Sequence, residues 1–436
     1  MKPVYLSLLI LVEVVFSLSV FSQSQDSIQL VGKLEITNLP IHDVWGYVDT
    51  ISGKKYALLG ASNDGMRVID ISTPESPTLV GEISGSGVQA IDIKTWLNFA
   101  YLVAESPSVS GKIIDLSDPT TPIQVGTFPG GHNMFISSKG YLYLAAPGLR
   151  IFNLNTDPTN PELVYQDNSC QGHDISIVED LLYDFSDNCG TRIFDVSQPD
   201  TLIELGAVPP SGIFHHSGWP SISGDYIFVC DELALPSEND LNVWDISNIS
   251  NPVLVDSFND PDSYIHNLYV IDNYALVSYY RAGFRLFDVA DPTNVTLMDE
   301  FDTDTTMSGP GYGGNFGLFP FWGLDMILAS DEGNGLFIFK IASKSLGQNR
   351  LESQSHSVKV SPNPTSKELR FEFQKKPTTP INIIALDLTG SIVLDQTLEI
   401  ENWENYVFQI PMLKEGLYVF NITVDSSLST HRIIIR

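Results

Sequence analysis

Thr191-Arg-Ile-Phe-Asp195, then Val196-Ser-Gln-Pro199, then Ile203-Glu-Leu-Gly206, reads as an apolar strand closed by one Asp, a Pro-containing turn and a second strand. The first part of this phrase recurs at Met66-Arg-Val-Ile-Asp70, Gly111-Lys-Ile-Ile-Asp115, Leu149-Arg-Ile-Phe-Asn153, Leu241-Asn-Val-Trp-Asp245, Phe284-Arg-Leu-Phe-Asp288 and Leu336-Phe-Ile-Phe-Lys340. Successive copies end 45, 38, 42, 50, 43 and 52 residues apart. A period in the forties with β-type alternation is the signature of propeller blades. Each blade is a four-stranded sheet that cannot bury its faces alone.

Outward from the motif, most copies lead into an outer strand: Thr78-Leu-Val-Gly-Glu82, Ile123-Gln-Val-Gly-Thr127, Glu162-Leu-Val-Tyr165, Ile203-Glu-Leu-Gly206, Val253-Leu-Val-Asp256 and Val295-Thr-Leu-Met298. The seventh copy has none, because the pattern stops at Ile341. The missing strand stands at the other end of the chain, within residues 28–36 as Ile28-Gln-Leu-Val-Gly-Lys33, and its pairing with the last blade closes the ring. The expected fold is all-β: a seven-bladed β-propeller over residues 23–341, a polar linker over 342–357, and a small Ig-like β-sandwich over 358–436, where about seven short strands follow one another. No long helical periodicity interrupts residues 30–341.

The first 22 residues have the shape of a secretory signal peptide: Lys2, an apolar run from Val4 to Val20, and a cleavage point at Ser22-Gln23. Glu13 makes that run a costly membrane anchor, and no later stretch is apolar enough to span a bilayer, so the mature chain is expected to carry no transmembrane span. The formal net charge is −30, and the segment from Val358 is nearly neutral, so the propeller carries the negative charge. Such a surface repels phosphate backbones and argues against nucleic-acid binding. Of three cysteines, Cys170 and Cys189 fall in loops on one face of the fourth blade, where a disulfide is geometrically allowed and its formation left open. Cys230 would remain over.

Five of the eight histidines stand where a blade begins: His42, His132, His173, His216 and His266, with Gln89 and Asn315 near the corresponding place in blades two and seven. The loops between second and third strands lie on the same face and bring acids, among them Asp187, Asp231, Glu232 and Asp331. Imidazole with carboxylate suits transition metals, and carboxylate with carbonyl oxygen suits calcium, so these nine residues are candidate ligands for a divalent metal. The competing reading is structural, with each His bonded to a turn acid and tying blades together, as in WD-repeat propellers. The strand-end Asp70, Asp115, Asp195, Asp245 and Asp288 are expected to cap the turns that follow them.

Two departures from the repeat also reach that face. Leu233–Asp240 enlarges a loop of blade five, and Asp302–Gly314 enlarges the entry to blade seven. Beside them, Tyr279, Tyr280, Arg281, Tyr312, Asn315 and Trp322 are candidate ligand-binding residues for a sugar ring or an apolar ligand.

Ser361-Pro-Asn-Pro-Thr365, Asp387-Leu-Thr-Gly-Ser391, Leu413-Lys-Glu-Gly-Leu-Tyr418 and a basic-apolar last strand give residues 358–436 a resemblance to the type A sorting domain of the type IX secretion system. That resemblance implies delivery through the periplasm to the outer-membrane surface or the medium, with the secretion machinery as a partner. Val68-Ile-Asp-Ile-Ser-Thr-Pro74, Ile114-Asp-Leu-Ser-Asp-Pro119 and Phe287-Asp-Val-Ala-Asp-Pro292 make the propeller resemble LVIVD-repeat surface proteins, a group also called choice-of-anchor B. No nucleophile elbow, zincin helix or phosphate loop is present. The leading expectation is a non-catalytic binding or adhesion module with a surface glycan or protein as ligand. The alternative is a secreted metal-dependent hydrolase or lyase acting on polysaccharide.

Overall fold

The computed structural model describes residues 26–37, 39–61, 64–85, 90–104, 106–186 and 189–343. Toward the C-terminus it describes 358–361, 365, 368–373, 376–377, 380–386, 392–398, 406–410, 413, 416–424 and 427–435. The expected leader, Gln89 and Asp187 lie outside these residues. So do most of the expected linker and much of the sorting-domain motifs. The chain divides into two compact units, Met1–Ser345 and Leu346–Arg436. No helix occurs among the described residues, and so none is long and apolar enough to cross a membrane.

Unit one contains seven four-stranded antiparallel sheets. Their first strands are β2 (Ile41–Val48), β6 (Asp92–Trp96), β10 (Met134–Ile136), β14 (Asp174–Val178), β18 (Ser217–Pro220), β22 (Leu268–Ile271) and β26 (Asn315–Phe319). The quoted motif is the third strand of each sheet. In blade four, β16 (Gly190–Asp195) is buried at every position but the last, which is why the motif is apolar on both faces rather than alternating. The seventh sheet closes as expected: β1 (Asp26–Leu34) pairs antiparallel with β28 (Gly335–Ser343), Asp26 opposite Ser343 and Leu34 opposite Leu336.

The glycines of the outer strands have a packing reason. A Cβ at Gly32 would lie 1.9 Å from the Pro74 carbonyl oxygen, and one at Gly81 would lie 2.3 Å from that of Pro119. These two outer strands therefore let the Pro-containing turn of the next blade approach their backbone directly. Blade four carries a disulfide between Cys170, before β14, and Cys189, in the turn entering β16. Cys230 is free and buried.

Unit two has two sheets, of three and four strands. Leu369, Phe371 and Phe408 from one and Ile383, Phe420 and Ile433 from the other share one apolar core. Seven strands stand among the described residues of this unit, in line with the pattern of short strands read from the sequence.

Candidate functional site

Each first strand places residues on the central channel at equivalent positions, so the lining forms tiers. The outer tier is His42, Ile91, His132, His173, His216, His266 and Phe316, one per blade. Ring centroids 4.4 Å apart join His132 to His173 and His173 to His216. The circuit continues at 5.0 Å from His216 to His266, 4.1 Å to Phe316 and 4.8 Å to His42. Blades two and seven thus contribute Ile91 and Phe316, where the sequence reading had placed Gln89 and Asn315. Asn315 is fully buried, its amide donating to the Ser330 carbonyl at 2.8 Å.

One residue further along lies the second tier: Asp43, Asp92, Asn133, Asp174, Ser217, Asn267 and Gly317. Its side chains sew blades together. Asp43 accepts the Ile93 N–H at 3.1 Å, Asp92 that of Met134 at 2.7 Å, and Asn133 that of Ile175 at 3.3 Å. Lys94 reaches up between Asp43 and Asp92. Burial alone would lower its ammonium, yet these carboxylates hold it above the ordinary lysine range. Burial raises the Asp174 carboxyl well above its usual value, with Asp92 adding to the rise. Below, Trp45, Phe135, Trp219, Tyr269, Phe319 and Phe321 form a contiguous aromatic plug.

Above the plug the channel narrows to voids of about 20 and 30 Å³, room for one or two waters each. At the mouth it widens to about 400 Å³. This chamber is walled by the five histidines, Phe316, Ile91, Glu232, Glu332, Tyr280 and Tyr312. Two of the imidazoles have their tautomers fixed by backbone. Nδ1 of His216 lies 3.0 Å from the His266 carbonyl oxygen, and Nδ1 of His266 lies 2.7 Å from that of Phe316. A carbonyl oxygen only accepts, so each Nδ1 carries the proton and each Nε2 is left with a lone pair. His216 and His266 therefore do tie blades together, but through the neighbouring blade's backbone. His216 additionally places Nε2 3.3 Å from Oε2 of Glu232. Tyr280 donates its hydroxyl to the other oxygen of Glu232. Burial and the neighbouring imidazoles push His216 and His266 down to about 3 and also lower His173, so these three imidazoles are neutral near pH 7. Burial, with help from Asp331, pushes Glu332 up to about 7.

The remaining candidates divide. Tyr280 and Tyr312 face the chamber, and the Tyr312 ring sits 5.2 Å from those of Tyr264 and Tyr280. Arg281 braces the enlarged loop, donating from Nε to the Tyr312 carbonyl at 3.1 Å. Tyr279 belongs to the core between blades and donates to Asp240. Trp322 lies outside the chamber, against Phe319 of the plug and under the Lys55 ammonium. Asp231 and Asp331 are buried turn caps: Asp231 accepts the Leu233 N–H, and Asp331 those of Gly333 and Asn334. Of the acids expected at the rim, Glu232 reaches the chamber, and Glu332 joins it from the position after Asp331.

LVIVD repeats match residues 48–84, 89–129, 221–260 and 264–303, and a secretion system C-terminal sorting domain matches 359–436. This is an LVIVD-repeat propeller with a type IX sorting domain. The LVIVD propeller is therefore exported through the type IX system to the cell surface or beyond, and its sorting domain interacts with that machinery. No curated protein matches the chain. Among solved structures, the WD40 repeats of RRP9 are 11% identical with a TM-score of 0.51, covering 73% of this chain and 99% of that one. That likeness speaks to the propeller fold alone. U3-55K is 10% identical (TM-score 0.49, covering 71% and 98%). PorZ, a surface component of the type IX secretion system of Porphyromonas gingivalis, is 12% identical (TM-score 0.45, covering 88% and 58%).

The repeat itself serves the scaffold. In the LVIVD propeller Asp70, Asp115, Asp195, Asp245 and Asp288 each accept the N–H two residues on, at 2.7 to 2.9 Å, as turn caps should.

Proposed function

We propose that the LVIVD propeller is a non-catalytic surface receptor that takes a sugar-sized polar ligand into the chamber at its channel mouth. The chamber carries this reading. Its volume suits a small ligand, its outer wall offers the half-exposed Tyr312 ring for stacking, and its depth offers imidazole nitrogens and carboxyls for hydroxyl groups. The channel is closed beneath by aromatic side chains, so a ligand enters and leaves on one face. Export to the surface or beyond supports an extracellular ligand, for which polysaccharide is the class with the matching hydroxyl chemistry.

The test is equilibrium binding of the purified full chain to arrayed surface glycans, with Tyr312→Ala in parallel and an assay for new reducing ends. Saturable binding, weakened about threefold to tenfold by Tyr312→Ala, is expected from the loss of one aromatic contact. Binding indifferent to Tyr312 removes the chamber from the reading. Release of new reducing ends replaces receptor with enzyme.

A further inference from the structure

We infer that His173, His216 and Glu232 form a mononuclear site for a divalent transition metal, Zn(II) first, on the chamber wall. The inference rests on reading the chamber as a binding site and names its inorganic component. One ligand atom from each of the three residues lies within 4.8 Å of the others. Two donors held tetrahedrally at about 2.0–2.1 Å from zinc are themselves about 3.3–3.4 Å apart. The Nε2 of His216 and Oε2 of Glu232 stand at 3.3 Å. The Nδ1 of His216 is engaged by the His266 carbonyl, which leaves Nε2 as the ring atom turned toward the carboxylate. A ring nitrogen and a carboxylate oxygen turned toward each other at this spacing are a pair that a tetrahedral cation would bridge.

The surrounding bonds are those that prepare metal ligands. A backbone carbonyl fixes the His216 tautomer and the Tyr280 hydroxyl orients the Glu232 carboxylate. Two imidazoles and one carboxylate match zinc better than calcium, which prefers oxygen throughout. Three protein donors leave a fourth tetrahedral position for water or a hydroxyl of the chamber's ligand.

His216 also joins two blades, so its replacement confounds binding with folding. Glu232→Gln and His173→Asn carry the test instead. The chelator-treated full chain is titrated with Zn(II) by calorimetry, with Co(II) absorption as a second readout. The expected result is one ion per chain, a tetrahedral Co(II) spectrum, and at least a tenfold loss of affinity in each variant at unchanged metal-free melting temperature. No stoichiometric binding, or binding unchanged in both variants, overturns the site. Zn(II) bound without any glycan binding upholds this site and sinks the receptor reading. Glycan bound by a chain that takes no Zn(II) does the reverse.

Discussion

Glu232 meets His216 across 3.3 Å, nitrogen lone pair to carboxylate oxygen, at a place where the repeat puts one residue from every blade. The loop that delivers Glu232 is one of two that break the repeat, so a near-symmetric ring becomes a site at one point of its circumference.

Tyr280 holds that carboxylate through its hydroxyl. Tyr280→Phe should leave the fold intact and weaken Zn(II) about tenfold, less than Glu232→Gln does, as loss of an orienting hydrogen bond behind a ligand does elsewhere. Parallel calorimetric titrations of the two variants check the order.

Two buried groups give pH dependences of opposite sign. The folded value of His266 is about 3 against 6.5 unfolded, so the unfolded chain takes up a proton first. Its contribution is complete above pH 6.5 and is lost as pH falls toward 3. The advantage of wild type over His266→Gln should shrink by up to about 1.4 kcal/mol per pH unit below 6.5. Burial lifts Asp240 to about 7 from 3.8, so its contribution is complete below 3.8 and is lost as pH rises through 7. Asp240→Asn should therefore gain on wild type between pH 4 and 8. Thermal melts of both variants across that range decide the signs.

Gly32→Ala tests the blade-to-blade seam. The added methyl carbon would fall 1.9 Å from the Pro74 oxygen, which is backbone and has little room to yield. A loss of about 1–3 kcal/mol is expected, as for overpacking generally. A denaturant midpoint unchanged by the substitution would mean that the seam opens at no cost.

The fold was legible because its signal is repeated seven times and its chemistry is local: an Asp that caps a turn, a glycine beneath a carbonyl, a strand buried on both faces. The ring of histidines was legible for the same reason. Its two exceptions were not, because Gln89 and Asn315 are the polar residues nearest the expected place. The physical rule is the position just before a second-tier residue, which picks Ile91 before Asp92 and Phe316 before Gly317 whatever their polarity. Among the acids, sequence could not separate Glu232 from Asp231 or Glu332 from Asp331. Adjacent residues in a turn point opposite ways, and the first of each pair caps its own turn. Trp322 failed for a different reason: the chain crosses the whole channel between Asn315 and Phe321, so nearness in sequence to the mouth placed it by the plug.

The strand that completes the ring starts at Asp26, three residues after the Ser22–Gln23 bond at which the leader is expected to be cut. A protease that trimmed ten residues further would strip the partner from β28 and leave the backbone of Ile338 and Lys340 as a bare sheet edge. If a leader is cut at that bond, the integrity of the ring limits how far downstream any further trimming can run. The first strand of the propeller is thus the clasp of the ring, held by the last strand some three hundred residues later.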